Sequence, residues 1–354
     1  MPDRLRFALF GSGDFGPQFA SYINECAEVV AVCDPSSEAR RRFSEQTGMK
    51  VASFSDPQML LDSVDIDAVA IASPNFTHHP IAVAAARAGK HVYCEKAMAN
   101  SVPECWEMVR ECQQARVKLM VGHKRRLRPP WARMIELREA LGKPLAITSC
   151  AYFDARPYDH QGWWTVREQC GGLLPVIGVH IVDWMRALCG DVVTVRALAA
   201  PQVDGRYDFP DTLHVSLLFA SGAIASLNVS LVYSLLKFRE AGGPHIVFEN
   251  GAARFVPSMD YLDLFWQHRS DSSVTHERFD DLGFQHAYRQ EMGDFVNWVV
   301  DGTEPCLTWR EGLRCVEVME AAHRSAEAGG AVINLPLYPE LERSTTSDAI
   351  ESLE

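Results

Sequence analysis

The apolar and polar positions of this 354-residue chain follow two rhythms. Up to about His123, short apolar runs alternate with stretches whose apolar residues recur every three to four positions. That alternation predicts strands joined by helical crossovers, and so a parallel sheet. The strand-like runs are 5–10, 29–33, 51–54, 68–72, 91–94 and 117–121. Helical period carries Phe19, Ile23 and Cys26 after the first run, residues 39–46 after the second, and a brief segment begun by Asp56 after the third. Ser73-Pro74-Asn75 stops the fourth run, because proline cannot donate to a sheet ladder and asparagine tolerates turns. Thr77 and Pro80 then predict a helix with the stripe Ile81, Ala84, Ala85 and Ala88, ended by Gly89. The fifth run delivers Glu95 and Lys96 at its carboxyl end, and Ser101 caps a helix over 103–115. Ligands of open parallel sheets bind outside the carboxyl ends of the strands, so both turns face one crevice.

Beyond Leu145 the rhythm is that of strands: 145–153, 192–199, 213–219, 223–231, 245–248 and 253–256. Ser221-Gly222 and Asn250-Gly251 are hairpin-turn signals, which makes this second sheet antiparallel. A helix over 131–141 precedes it, and helices over 285–300 and 310–328 follow. Between the regimes lies Lys124-Arg125-Arg126-Leu127-Arg128-Pro129-Pro130, which reads as a solvated linker or an anion contact, the linker being favoured. The fold class is a doubly wound parallel (Rossmann) α/β domain over 1–124 and an α+β domain over 125–336, with a polar peripheral tail over 337–354.

Composition narrows the function. A net charge of -12 argues against nucleic acid or an anionic membrane as partner. No run in the sequence approaches the ~18–20 apolar residues of a membrane span. The first apolar run is too short for a secretion signal. The 10 cysteines include no C-x-x-C pair and several sit in apolar runs, as expected of buried thiols in a reducing, cytoplasmic compartment.

The first run leads straight into Gly11-Ser12-Gly13-Asp14-Phe15-Gly16 and then a helix. Glycines between strand and helix allow backbone N–H groups to approach a pyrophosphate at the helix N-terminus. The second run ends at Asp34, where an acid accepts ribose hydroxyls and repels a 2′-phosphate. NAD is thereby favoured over NADP, although Arg40, Arg41 and Arg42 lie further on.

These motifs, with His78, Ala88-Gly89-Lys90-His91-Val92, Gly171-Gly172, Gly178-Val179-His180 and Asp183, resemble the glucose–fructose oxidoreductase / inositol dehydrogenase / MocA family. The resemblance spans nearly the whole chain. It implies a large, mostly antiparallel second sheet that builds homodimers or homotetramers. It also implies oxidation or reduction of a secondary hydroxyl of a sugar, cyclitol or glycoside. The cofactor would be held by Gly11 to Gly16, Asp34, Ser73, Pro74, Asn75, His78 and Glu95. Two positions depart from the family pattern. Ala97 replaces the proline after Glu-Lys, and Val176 replaces an aspartate four residues before the histidine.

Lys96 and His180 are the catalytic candidates. Either Lys96 is the base, or His180 is and Lys96 stabilises the alkoxide as a fixed cation. Asp183, three residues beyond His180, orients or packs rather than catalyses. The aromatic stretch 152–164 is the substrate-facing candidate, with Tyr152, Asp154, Arg156, Asp159, Trp163 and Trp164 beside Lys96 and His180; Trp residues pack cores as readily as they stack on sugars. His78 and His79 are adjacent and lack a matching ligand set, so no metal is expected. Two other readings stand: a redox-neutral enzyme that keeps NAD bound, and a non-enzymatic sugar or NAD sensor.

Overall fold

A computed structural model of the chain describes residues 4–155, 162–232, 243–257, 261–281 and 283–343. They form two compact units. The first holds residues 4–123, 288–313 and 338–343, and the second holds 124–287 and 314–337 as far as these are described.

In the first unit six parallel strands run in the order β3-β2-β1-β4-β5-β6. They are β1 (Arg6–Phe10), β2 (Glu28–Cys33), β3 (Ala52–Phe54), β4 (Ala68–Ile71), β5 (His91–Glu95) and β6 (Leu119–Gly122). The crossover helices are α1 (Gly16–Cys26), α2 (Ser37–Thr47), α3 (Pro57–Ser63), α4 (His78–Arg87) and α5 (Val102–Gln114). Their starts follow local chemistry. Ser36 accepts from the N–H of Ala39 and Asp56 from that of Met59. Ser101 and Glu104 close a capping box. The chain order reverses between β1 and β4, which places the ligand crevice of such sheets at the carboxyl ends of these two strands.

Residues 288–313 return to this unit, whereas the linear division expected all of 125–336 in the second domain. The reason is aromatic. On α9 (Phe284–Asp301), Tyr288 stacks on Tyr22 with centroids 5.1 Å apart, and Phe295 meets Phe7 at 5.8 Å and Tyr93 at 5.9 Å. Burying Phe295 completely contributes about 1.5–3 kcal/mol, which no exposed position offers that ring.

The second unit is built on nine strands ordered β14-β13-β12-β11-β7-β10-β9-β8-β15. In chain order they are β7 (Pro144–Tyr152), β8 (Val192–Ala199), β9 (Thr212–Phe219), β10 (Ile224–Ser230), β11 (His245–Phe248), β12 (Gly251–Pro257), β13 (Leu262–His268), β14 (Thr275–Phe279) and β15 (Ile333–Asn334). All pairings are antiparallel except β7 with β10. The last three strands do not show in the hydrophobic pattern. In β13 the buried Asp263 accepts from His276 and Arg278, while Phe265 stacks on His276, so apolar and polar residues do not alternate by face. β15 is two residues long.

On the inner face α6 (Pro129–Leu141) and α8 (Val179–Cys189) meet through Trp131 and Trp184, whose centroids are 5.0 Å apart. The stretch Arg167–Cys189, with α7 (Arg167–Cys170) at its start, is long and apolar enough to cross a membrane by composition, which the sequence reading excluded. With 78% of its most apolar window buried in the fold, it is a core element.

His323, on α10 (Trp309–Glu327), is buried against the Gly171-Gly172 turn; a Cβ on Gly172 would lie 2.8 Å from its Cε1. Burial, and then the charge of Arg167, push its imidazole down to about 3. A histidine that protonates more readily when unfolded stabilises the fold above pH ~6.5, and that stability is lost as pH falls toward 3. His323→Leu should therefore flatten the acid side of the stability curve, removing about 2 kcal/mol of the difference between pH 7.5 and pH 5. Urea midpoints at the two pH values measure it; an unchanged slope would contradict the assignment.

Candidate active site

The glycine loop is shaped from both sides. Gly11 has φ +100°, and a Cβ there would lie 2.6 Å from the carbonyl oxygen of Ala72 and 2.8 Å from the nitrogen of Ser73. A Cβ on Gly16 would lie 2.6 Å from the Gly11 oxygen. The first and third glycines thus let the loop nest against the turn after β4 and against itself. A Cβ on Gly13 meets nothing within 4 Å, which leaves its backbone open to a ligand. The Ser12 N–H donates to Asp34 Oδ2 at 2.9 Å and the Ser36 N–H to Oδ1 at 2.9 Å, so the loop itself fixes the acid at the end of β2. The Ser12 hydroxyl is buried with no hydrogen-bond partner among the described residues. Phe15 packs on Phe19 and Tyr288 at 5.3 and 5.1 Å, so its ring serves the aromatic cluster. Asp14 is exposed, 3.9 Å from Arg42.

The turn after β4 is self-tied. The Thr77 hydroxyl donates to the Pro74 carbonyl at 2.7 Å, a short 3-10 turn spans Asn75–Thr77, and Asn75 is buried. From the start of α4, His78 reaches two turns at once. Its Nδ1 lies 2.7 Å from the carbonyl oxygen of Ala97 and its Nε2 lies 2.8 Å from that of Ser73. A neutral ring donates its single N–H to one of these carbonyls and lies within hydrogen-bond distance of the other, so His78 bridges the two turns. Burial lowers its pKa while the two carbonyls raise it, burial being the larger effect.

β5 ends at Glu95, whose Oε2 accepts weakly from the Lys96 N–H at 3.4 Å; its Oε1 is buried with no hydrogen-bond partner among the described residues. The Lys96–Ala97 peptide bond is cis. Lys96 is half-buried. On the same strand, the Tyr93 hydroxyl donates to the fully buried Glu291 at 3.1 Å. Gly122 makes room for that hydroxyl, since a Cβ there would lie 2.3 Å from it. The sequence reading missed Glu291, although a carboxylate between Tyr288 and Phe295 on an apolar helix face is a signal. The first unit therefore gathers Gly11 to Gly16, Asp34, Ser73, Pro74, Asn75, His78, Glu95 and Lys96 along one sheet edge.

In the second unit a π-helical turn, Leu174–Gly178, carries the buried Val176 and runs into α8, whose second residue is the half-buried His180. Asp183 is fully buried. Tyr152 ends β7, Asp154 bridges to Val232, and Trp163 and Trp164 are half-buried, with centroids 5.8 Å apart. Phe153 lies 6.1 Å from Trp164. Arg156 and Asp159 lie outside the described residues.

The basic run is not a solvated linker. It forms a 3-10 turn, Lys124–Leu127, in which Lys124 is buried; Arg128 is buried too, with its guanidinium 3.7 Å from the Phe284 ring. Arg125 lies over Trp131 at 4.6 Å, and Arg126 pairs with Asp183. Arginine stacks on aromatic faces and forks onto carboxylates, so a run that reads as polar in sequence becomes core in structure. Asp183→Asn would strip a buried guanidinium of its carboxylate and should cost about 3–5 kcal/mol, seen as a fall in Tm. An unchanged Tm would contradict the pair's structural weight.

A glycine loop feeding a helix N-terminus, an acid at the end of the adjoining strand and an open second glycine together define a dinucleotide-binding unit. Residues 5–123 match the model described as an oxidoreductase family with an NAD-binding Rossmann fold, and residues 132–248 match the C-terminal domain model of the same GFO/IDH/MocA family. The chain belongs to this family of NAD-binding oxidoreductases. It is 26% identical over 335 residues to the myo-inositol 2-dehydrogenase of Thermotoga maritima, covering 91% of this chain and 96% of that one. It is 28% identical over 231 residues to the 2,7-anhydro-N-acetylneuraminate hydratase of Escherichia coli, covering 63% and 61%. Among solved structures, the aldose–aldose oxidoreductase of Caulobacter crescentus superposes with a TM-score of 0.81 at 26% identity, covering 94% of this chain and 100% of that one.

Proposed function

We propose that the protein oxidises, or in reverse reduces, a secondary hydroxyl of a sugar, cyclitol or glycoside, with NAD and not NADP as cofactor. The observation that carries this is the clamped edge: Ser73, His78 and Ala97 tie the turn bearing Lys96 to the turn that backs the glycine loop. NAD, when bound, supplies the hydride acceptor. The N–H groups of the glycine loop and the free Ser12 hydroxyl suit its pyrophosphate, and Asp34 suits a ribose diol. Lys96 holds or takes the hydroxyl proton at Nζ, with His180 as the second acid–base group. Glu95 and Asn75 position the lysine and the nicotinamide end, and His78 acts on them through the two turns.

The buried Val176, four residues before His180, is apolar where the family pattern has a carboxylate. Tyr152, Asp154, Trp163 and Trp164 supply substrate contacts in this reading, and Arg156 and Asp159 join them from the same stretch of sequence. The exposed apolar residues of the second sheet, Leu198, Leu218, Ile224 and Val247, support a homodimer or homotetramer formed through that sheet.

The test is a panel of inositols, aldoses, sugar acids, anhydrosugars and aryl glycosides incubated with NAD, following reduced nicotinamide by absorbance. Turnover of one class names the substrate. Silence, with NAD released only on denaturation, would replace this reading by the redox-neutral one, which the likeness to a hydratase and an aldose–aldose oxidoreductase supports.

A further inference from the structure

The run Lys124 to Arg128 has no part in the function so far described, yet one of its arginines holds the helix that carries His180. Arg126 donates through Nε to Asp183 Oδ2 at 2.9 Å, through Nη2 to Oδ1 at 2.5 Å, and through Nη2 to the Asp183 carbonyl oxygen at 3.3 Å. One planar guanidinium therefore grips both the side chain and the main chain of the same residue. The side chains are 11% and 0% exposed, so water competes little for either. Asp183 stands three residues after His180, hence on the same face of α8 and one turn away.

Further along α8 the Trp184 indole N–H donates to the Trp131 carbonyl at 3.2 Å, one turn beyond His180. Before the helix, a Cβ on Gly178 would lie 2.7 Å from Leu174 and 3.6 Å from Val229, so the π-helical turn packs closely on apolar side chains. At its far end, Arg186 pairs with Asp191. A buried ion pair is a poor way to gain stability, because desolvating two charges offsets most of their attraction. Its fork geometry instead fixes orientation, which an apolar contact does not.

We propose that Arg126 is a positioning residue for the reaction: through Asp183 it sets the rotation of α8 and with it the presentation of His180. This rests on His180 being an acid–base group of the site. The geometry also explains why arginine stands at this position, since a lysine ammonium keeps the charge and loses the fork.

The experiment compares the full chain with Arg126→Lys, Arg126→Gln and Asp183→Asn, all in the presence of NAD, using the substrate that the panel identifies. Steady-state kinetics are read beside the 13Cε1 resonance of His180, assigned with His180→Gln in histidine-labelled protein. Arg126→Lys should stay folded, lose about 10- to 100-fold in kcat with KM little changed, and move the His180 resonance while the other histidines stay in place. Arg126→Gln and Asp183→Asn should lose more, with lysine as the partial rescue. Wild-type kcat and an unmoved His180 resonance in any folded variant would overturn the proposal. If no substrate is turned over by the wild type, the functional reading fails by itself, and the His180 resonance still decides whether Arg126 sets the helix.

Discussion

Lys96→Met is expected to lower kcat by about 10²- to 10⁴-fold while leaving NAD affinity within about twofold of wild type. Methionine keeps most of the length and the apolar stem and removes the proton-carrying amine. The turn that carries it is fixed by others: Glu95 accepts from the Lys96 N–H, and His78 holds the Ala97 carbonyl. Neither contact uses the lysine side chain, so the fold and the glycine loop should survive. The check is steady-state kinetics beside a binding titration on one preparation. A kcat within about threefold of wild type would remove Lys96 from the chemistry and leave His180 as the base.

The three glycines of the loop should separate into two kinds. Gly11→Ala forces a Cβ to within 2.6 Å of the Ala72 oxygen at a φ of +100°. Strain and clash together should cost on the order of 3 kcal/mol or more, seen as a clear fall in Tm. Gly13→Ala has open space around its Cβ and should leave stability within about 0.5 kcal/mol. Yet its methyl stands where a pyrophosphate would close on the loop, so NAD should bind at least about tenfold more weakly. Thermal melts and NAD titrations of both variants separate fold from binding. Equal NAD affinity in Gly13→Ala and wild type would mean that the cofactor does not approach this loop.

Much of the first unit was legible because its signals are local. A fully buried strand such as Ala68–Ile71 shows as an apolar run, two helix starts show as Asp56 and Ser101, and a glycine loop must stand between strand and helix. What escaped is non-local. Nothing near Arg126 in the sequence names Asp183, 57 residues away, and nothing near Tyr93 names Glu291, 198 residues away. Charged residues in core positions look polar until their partners are known. The same limit hid β13 and β14, where Asp263 occupies a buried position. His78 was recognised as near the cofactor turn, but its part as a bridge between Ser73 and Ala97 depends on two turns that only the sheet brings side by side.

The central claim is that hydride passes from a substrate carbinol carbon to NAD held on this edge, with Lys96 taking the proton. The most direct measurement uses substrate deuterated at that carbon, followed by denaturation and mass or NMR analysis of the recovered nicotinamide. The account predicts deuterium at C4 of the reduced nicotinamide with wild-type protein, appearing about 10²- to 10⁴-fold more slowly with Lys96→Met. Substrate converted to product with no deuterium on the nicotinamide would contradict it.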